Sequence, residues 1–263
     1  MSRVVVKMGG HALDDLGPSS ELVRALADDL RALVSGGHEV LVVHGGGPQI
    51  ADLLARVGLA SEFYEGLRIT SAETMTYVAM ALASVNLALV STLSHAGLAC
   101  VGLDGADARL VSGRSLGMPW DRAATVAAVD VTVVHHLWRG ALVPVVSPVG
   151  VDEEGRLLNC NADVVAGALA GALRASTLVL LSDVDQLRSD PDDPTSVLTH
   201  VSASRVHEMI ASGAAREGMR PKMTAALDAL GAGARRVVLA NGTRPHALRD
   251  VMDEKIPTTE VVA

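Results

Sequence analysis

Two lysines next to turn-forming sequence are the residues best suited to chemistry. Only three of the 22 basic residues are lysine, namely Lys7, Lys222 and Lys255. Lys7 lies just before Gly9-Gly10, and Lys222 ends the segment Gly218-Met-Arg-Pro-Lys222. A compact ammonium contacts a phosphate differently from a planar guanidinium. Lys7 and Lys222 are therefore candidates for contact with a phosphate.

Two glycine-rich turns follow predicted strands. Gly9-Gly10 comes after a strand predicted at 4–8, and Gly45-Gly46-Gly47 comes after one predicted at 39–43. Glycine lets the backbone approach a ligand closely, and a following helix directs free N–H groups at an anion. Either turn alone is equally consistent with a tight strand-to-helix connection. Together, with Lys7 beside one of them, they favour phosphate binding.

The common nucleotide-binding signatures are absent from the sequence. It contains no G-x-x-x-x-G-K-[ST] loop, no G-x-G-x-x-G fingerprint and no protein-kinase motif set. A nucleotide site in this chain must therefore be of another kind.

Apolar β-branched runs alternate with amphipathic segments along the chain. This pattern predicts a single α/β domain over 1–263, a three-layer αβα sandwich with a mainly parallel central sheet. A capping box at Thr70-Ser-Ala-Glu73 is expected to begin a long helix ending near residue 95, and 113–130 is either a hairpin or irregular. Further strands are predicted at 98–103, 142–146, 178–182 and 236–240, and further helices at 20–35, 48–57, 162–173, 204–211 and 223–230.

Composition excludes several classes of protein. The formal net charge of -8 argues against nucleic acid as a partner. No apolar run is expected to cross a bilayer and no signal peptide is evident, so we expect a cytoplasmic protein without a membrane partner. Two widely spaced cysteines suggest neither a disulfide framework nor a zinc site.

Six motifs, in order and spacing, resemble those of the amino acid kinase family. The most detailed similarity is to members that phosphorylate the γ-carboxylate of N-acetyl-L-glutamate in arginine biosynthesis, using ATP and Mg²⁺ and forming an acyl phosphate. The resemblance covers essentially the whole chain. Its motifs are Val5-Val-Lys-Met-Gly-Gly10, Val43-His-Gly-Gly-Gly-Pro-Gln49, Gly66-Leu-Arg-Ile-Thr70, Asn159-Cys-Asn-Ala-Asp163, Leu181-Ser-Asp-Val184 and Gly218-Met-Arg-Pro-Lys222.

The resemblance implies a catalytic set and an acceptor-binding set. In the catalytic set two lysines flank the transferred phosphoryl group, a carboxylate orients both, and a glycine donates its N–H; these are Lys7, Lys222, Asp163 and Gly10. In the acceptor-binding set Arg68 binds the α-carboxylate, Asn159 holds the same amino-acid portion, and Gly45 and Gly46 donate backbone N–H groups.

The resemblance also divides the chain into two lobes. Residues 1–175 would hold the acceptor site and the interface of a homodimer, and 176–263 would hold ATP, with Mg²⁺ carried by its phosphates and water. The ATP contacts implied are Asp183, Val184, Leu187, Arg188, Ala214, Arg216 and Met219. The first strand begins the chain without the preceding helix of arginine-inhibited relatives, so we expect insensitivity to arginine. His11 departs from the family pattern.

Three other interpretations remain open at this point. His44-Gly-Gly-Gly47 with Gly113-Arg-Ser115-Leu-Gly117 formally matches a serine hydrolase, with His246 as a possible partner. A nucleotide-binding sensor would keep the fold without the reaction. A kinase for a carrier-protein-linked glutamate or aminoadipate would keep the reaction, but the sequence has no obvious basic cluster beside Arg68.

Overall fold

An eight-stranded, mainly parallel sheet forms the centre of the molecule. The computed structural model describes residues 2–9, 13–17, 19–183, 185–190, 192–193, 195–213 and 219–263. The strands are β1 (Arg3–Met8), β2 (Glu39–His44), β3 (Phe63–Tyr64), β4 (Leu67–Arg68), β5 (Cys100–Asp104), β6 (Val111–Gly117), β7 (Asp121–Val129), β8 (Val143–Ser147), β9 (Val149–Val151), β10 (Leu157–Cys160), β11 (Thr177–Ser182), β12 (Leu187–Arg188), β13 (Val197–Leu198), β14 (His200–Ser202), β15 (Val237–Asn241) and β16 (Thr259–Val262).

Helices cover both faces of this sheet. They are α1 (Glu21–Ser35), α2 (Gly47–Arg56), α3 (Ala72–His95), α4 (Thr132–Arg139), α5 (Ala162–Ala172), α6 (Ala203–Ala211), α7 (Arg220–Gly231) and α8 (Ala247–Met252). The sheet order is β14-β16-β15-β11-β1-β2-β8-β5, and the pairing of β15 with β16 is antiparallel. The predicted α/β fold with a mainly parallel central sheet is confirmed.

Alternation along β1 shows why there are two core layers. Val5 packs in the layer beneath α5 and α7, whereas Val4 and Val6 pack in the opposite layer with α1, α3 and α8. Successive side chains of a strand point to opposite faces, and a sheet covered on both sides therefore reads as a continuous apolar run. Lys7 interrupts that run on the Val5 face and is paired in register with Val43 and Leu180.

A small closed barrel lies beside the central sheet. It has the strand order β10-β7-β6-β9, and β6 and β7 form an antiparallel hairpin. For the segment 113–130 the sequence is consistent with either a hairpin or an irregular structure, and the structure shows a hairpin. The loop after β10 leads directly into α5, so the barrel brings Asn159 and Asp163 to the carboxyl end of β1.

Two expectations need correction around α3. Its N-cap is Ser71, whose hydroxyl accepts the Thr74 N–H, and not Thr70, which is buried. α3 is also long and apolar enough to cross a membrane by length and composition alone, contrary to the expectation that no segment is. In its most apolar 18-residue window 44% is buried within the fold, and core helices of globular proteins also meet this criterion of length and composition.

Candidate active site

Both predicted lysines contact one carboxylate. Lys7 Nζ lies 2.9 Å from Asp163 Oδ1, and Lys222 Nζ lies 3.3 Å from Asp163 Oδ2. Lys7 arrives on β1, Asp163 on the first turn of α5 and Lys222 on the first turn of α7. Three distant parts of the sequence therefore meet at the carboxyl end of the central sheet, where ligands bind in open α/β folds.

The environment of Asp163 keeps its carboxylate ionised. Burial alone raises the pKa of Asp163, but the positive charges of Lys7 and then Lys222 outweigh it, so the pKa lies below its ordinary value. Asn161 caps α5 by accepting the N–H groups of Asp163 and Val164. That cap holds the Asp163 backbone in place, and an anion at a helix N-terminus is favoured.

The position of Lys222 makes this end of the sheet attractive to anions. An ammonium in the first turn of α7 adds to the positive end of the helix dipole instead of offsetting it. Lys7 and Lys222 together exceed the charge of Asp163 by one. An anionic ligand is the group that this excess positive charge favours.

A cavity of about 200 Å³ opens beside this cluster. Its polar lining includes Lys7, Asp163, Arg68 and Asn159, and the glycine turn before α2 forms one wall. Its apolar lining includes Ile50, Phe63, Leu67, Leu82, Ala123, Ala124, Pro148 and Ala162. One cavity therefore joins a cationic end to an apolar wall, which suits a small anion carrying an acyl or alkyl portion.

Arg68 is a buried cation in this cavity. Its guanidinium donates to the Ser61 hydroxyl and, at 3.2 Å, to the Gly47 carbonyl, and it lies 4.6 Å from the centre of the Phe63 ring. Burial lowers the pKa of Arg68. No carboxylate in the described part of the chain forms an ion pair with Arg68. A buried guanidinium without an anionic partner is a strong binding site for a carboxylate ligand.

Asn159 is oriented by a neighbour that sequence reasoning missed. The Thr70 hydroxyl donates to the Arg68 carbonyl at 2.9 Å and accepts from Asn159 Nδ2 at 3.1 Å. One hydrogen of the Asn159 amide nitrogen is thereby used by Thr70, and among the described residues no donor contacts its Oδ1 atom, which can accept a ligand N–H.

Gly45 and Gly46 of the second glycine turn differ in how their N–H groups are used. The Gly45 N–H donates to the Met8 carbonyl at 2.9 Å, at the carboxyl ends of the adjacent strands β1 and β2. The predicted role of Gly45 as an N–H donor to the ligand therefore needs correction, because that hydrogen is already used. Gly46 also lines the cavity, and within the described residues its N–H has no protein acceptor.

The predicted nucleotide contacts are only partly described. Gly10, Val184, Ala214 and Arg216, and also His11, lie outside the described residues. Asp183 is exposed directly after β11, and Arg188 is exposed on β12. Met219 is the N-cap residue of α7 and packs against the core. Leu187 is fully buried and its N–H donates to Thr259 Oγ1, so its side chain has no surface for a ligand.

His44 and Asn86 are further residues that the sequence analysis did not assign to the site. Both are buried, and they hydrogen-bond to each other directly behind the glycine turn. A signal was present in the sequence, since Asn86 is the sole asparagine in the apolar helix α3. A buried carboxamide needs partners, and its presence on such a helix points to a polar group opposite.

The serine hydrolase interpretation is not supported by the structure. Ser115 lies within β6, paired with β7, instead of on a turn between a strand and a helix. Its hydroxyl donates to the Asp121 carbonyl. His246, at the start of α8, forms a hydrogen bond with the buried Asp29 of α1. A nucleophile elbow requires the serine on a sharp strand-to-helix turn beside a histidine.

Sequence comparison relates this chain to one family of enzymes. The profile of the amino acid kinase family matches residues 2–241. An acetylglutamate kinase from Symbiobacterium thermophilum is 40% identical over 255 residues, covering 93% of this chain and 86% of the relative. One from Methanocaldococcus jannaschii is 38% identical over 257 residues, covering 93% and 84%.

Solved structures share the fold. A protein from Streptococcus mutans UA159 superposes with a TM-score of 0.80 at 28% identity, covering 91% of this chain and 94% of that one. An N-acetylglutamate synthase from Neisseria gonorrhoeae, complexed with coenzyme A and N-acetyl-glutamate, gives a TM-score of 0.83 at 19% identity, covering 100% of this chain and 59% of that one. At that identity the second match bears on the fold alone.

Proposed function

This chain belongs to the amino acid kinase family, and we propose that it transfers the γ-phosphoryl group of ATP to the γ-carboxylate of N-acetyl-L-glutamate. The product is an acyl phosphate of the arginine biosynthetic route. The observation that carries the proposal is the pair of ammonium groups held on the two oxygens of Asp163, beside a cavity that also contains Arg68.

The two lysines supply charge where phosphoryl transfer needs it. The transition state spreads negative charge over the oxygens of the migrating group, and catalysis depends on positioning and electrostatic stabilisation. Lys7 and Lys222 approach from different elements and are separated by Asp163 until an anion arrives. Asp163 keeps the two cations from repelling each other while the phosphoryl position is empty.

The acceptor needs no general base. A side-chain carboxylate has an ordinary pKa near 4.3 and is ionised at neutral pH, so no proton has to leave it. The described residues lining the cavity include no histidine and no carboxylate other than Asp163, which is bound by two lysines. That set of groups fits transfer to a carboxylate better than transfer to a hydroxyl, which requires a base.

Arg68 and Asn159 recognise the amino-acid portion. The guanidinium of Arg68 binds the α-carboxylate, and Asn159 Oδ1 accepts the N–H of the acylated α-nitrogen. The acyl group lies on the apolar lining of the cavity. Residues 1–175 form the acceptor lobe and 176–263 the ATP lobe, in which Asp183, Arg188 and Met219 are the described candidate contacts.

Mg²⁺ accompanies ATP in this proposal. It usually retains several waters and binds through substrate phosphates, not through a dedicated protein cage. The described residues contain no group of three or more His, Cys, Asp or Glu side chains placed to hold a metal ion. The ion would neutralise charge between the phosphates, while Lys7 and Lys222 act on the transferred group.

We also propose a cytoplasmic homodimer that uses the outer face of α3. Met80 and Leu87 on this helix are 56% and 72% exposed. From Thr74 to Ser94 the helix carries no charged side chain, so its exposed face is unusually apolar. Size-exclusion chromatography with light scattering tests this, and Leu87→Glu is expected to shift a dimer towards monomer.

An ATP-dependent hydroxamate assay tests the function. Hydroxylamine traps the acyl phosphate, and the acceptors are N-acetylglutamate, glutamate, N-acetylaspartate and N-acetylaminoadipate. We expect product mainly with N-acetylglutamate. ATP binding without any trapped product would instead indicate a nucleotide sensor. Product with a carrier-linked substrate alone would reassign the acceptor and retain the reaction.

A further inference from the structure

The peptide between Gly45 and Gly46 is free to rotate unless something holds it. Both flanking residues are glycine, so side chains offer little resistance to a flip of the peptide plane. In one orientation the Gly46 N–H faces the cavity, and in the other the Gly45 carbonyl oxygen does. Only the first orientation attracts an anion.

His44 contacts this peptide from the protein interior. His44 Nδ1 lies 2.8 Å from the Gly45 carbonyl oxygen, and the ring is fully buried. In a trans peptide the C=O and N–H bonds point in opposite directions. A Gly45 carbonyl directed at His44 therefore directs the Gly46 N–H away from the interior, towards the cavity that Gly46 lines.

Asn86 determines which ring nitrogen carries the proton. Asn86 Nδ2 lies 2.9 Å from the Val145 carbonyl and 3.0 Å from His44 Nε2. The Val145 carbonyl can only accept, so the amide nitrogen faces it, and its second hydrogen points to Nε2. Nε2 must then be the unprotonated acceptor. The proton of the neutral ring is on Nδ1, where it donates to Gly45. Burial, the largest influence, lowers the pKa of His44 and so favours this neutral form.

We propose that His44 is a positioning residue: its Nδ1–H locks the Gly45–Gly46 peptide so that the Gly46 N–H donates to the anion at the reacting centre. Asn86 fixes the tautomer of His44, and Gly102 makes room for Asn86. A Cβ atom on Gly102 would lie 2.0 Å from Asn86 Oδ1. The inference rests on the proposed function, because the anion is that of the phosphoryl transfer.

Two substitutions at one position separate this role from a structural one. In His44→Asn the carboxamide NH₂ takes the place of Nδ1–H and can still reach the Gly45 carbonyl. In His44→Gln the carboxamide instead reaches towards Asn86 and leaves Gly45 without a donor. We expect kcat within about tenfold of wild type for His44→Asn and a loss of about 100-fold for His44→Gln, comparable to removing one oxyanion donor. KM for ATP should change less than about threefold, because the Gly46 N–H is proposed to stabilise the transition state more than the bound ATP.

A remote variant tests the same chain of contacts. Gly102→Ala displaces Asn86 without touching the cavity lining and should lower kcat in the same direction as His44→Gln. Gly231→Ala is the control, since nothing lies within 4 Å of a Cβ atom there. Circular dichroism and Tm verify that each variant folds.

The outcomes separate this inference from the proposed function. Equal kcat for His44→Asn and His44→Gln would overturn the proposal that His44 holds the Gly45–Gly46 peptide. A ¹⁵N NMR spectrum of the wild-type protein showing the His44 proton on Nε2 would overturn it as well, whether or not the enzyme is active. Wild-type protein that forms no hydroxamate with any acceptor would refute the proposed function. The NMR measurement of the His44 tautomer would still test the proposed contacts of His44, because it does not depend on activity.

Discussion

Gly167 lies against the backbone of Ala225, so closely that a Cβ atom on Gly167 would come within 2.6 Å of the Ala225 carbonyl oxygen. This contact joins α5, which carries Asp163, to α7, which carries Lys222. One turn further along, a Cβ atom on Gly171 would lie 2.3 Å from the Ala232 Cβ. Two glycines therefore set the separation of the helices that hold the Asp163–Lys222 pair.

Gly167→Ala should separate these helices and move Lys222 away from Asp163. Backbone atoms cannot yield as a flexible side chain can, so we expect a loss of about 1–3 kcal/mol in the free energy of unfolding. We also expect a fall of about tenfold in kcat, since small displacements of catalytic groups are costly. Urea denaturation and the hydroxamate assay measure the two effects. Gly231→Ala, at the end of α7, is the control, since nothing lies within 4 Å of a Cβ atom there. An unchanged kcat in a destabilised Gly167→Ala enzyme would contradict the coupling.

Gly9→Ala should disable Lys7 without unfolding the protein. A Cβ atom on Gly9 would lie 2.3 Å from Lys7 Nζ, and that ammonium is the movable end of a flexible side chain. The lysine would leave Asp163, and kcat should fall about 100-fold with little change in Tm. Combining Gly9→Ala with Lys7→Ala tests the cause. In the Lys7→Ala background, Gly9→Ala should lower kcat almost no further. A fully additive loss in kcat would show that Gly9 has a role separate from Lys7.

The fold could be predicted from the sequence wherever local pattern and tertiary structure agree. The strand 39–43 contains a continuous apolar run, and the helix 20–35 follows helical apolar periodicity and ends at glycine; both lie within one residue of their predicted bounds. The barrel strands could not be found in this way. β9 and β10 are only three and four residues long, and their pairing depends on partners distant in sequence.

The site was predictable in its residue types but not in its connections. The family resemblance implied that Asp163 orients both Lys7 and Lys222, but no local pattern around these residues indicates that contact. The use of the Gly45 N–H by Met8 depends on the register of β1 and β2. The hydrogen bond between Asn86 and His44 spans 42 residues and depends on how α3 crosses the sheet. Such contacts come from tertiary packing.

Asp163→Asn should destabilise the protein by about 3 kcal/mol, because it removes the carboxylate shared by the buried Lys7 and the partly buried Lys222. The pKa of Asp163 is lowered in the folded state, so its contribution is present above the unfolded value of about 3.9 and is lost as pH falls through the lower folded value. The stability difference between wild type and variant should be constant from about pH 5 to 8 and shrink in stronger acid.

Urea titrations at several pH values measure that difference. Asp52→Asn is the control, because Asp52 pairs with Arg56 on the surface and exposed pairs contribute about 1 kcal/mol at most. A difference that grows on acidification would contradict the assigned charge state of Asp163.

Arg68→Ala should chiefly weaken binding of the acceptor. Loss of a charge-assisted carboxylate contact costs about 1.5–3 kcal/mol, or roughly 10- to 150-fold in KM for N-acetylglutamate. KM for ATP and kcat should change much less. Arg68→Lys should recover only part of the loss, since an ammonium lacks the planar fork. Arg56→Ala, at an exposed position, controls for the change in net charge. An equal increase in KM for ATP and for N-acetylglutamate would contradict the role of Arg68 in acceptor binding.

The central claim is that Lys7 and Lys222 act on one phosphoryl group, and single-turnover hydroxamate formation by their alanine variants tests it most directly. We expect each single variant to lose about 1,000-fold or more in rate while keeping its Tm within a few degrees. The double variant should lose little more than either single one, because groups that act as a unit are non-additive. Lys255→Ala, which removes the third lysine on an exposed turn, should retain full activity. A folded Lys7→Ala or Lys222→Ala enzyme that keeps a tenth or more of the wild-type rate would contradict the account.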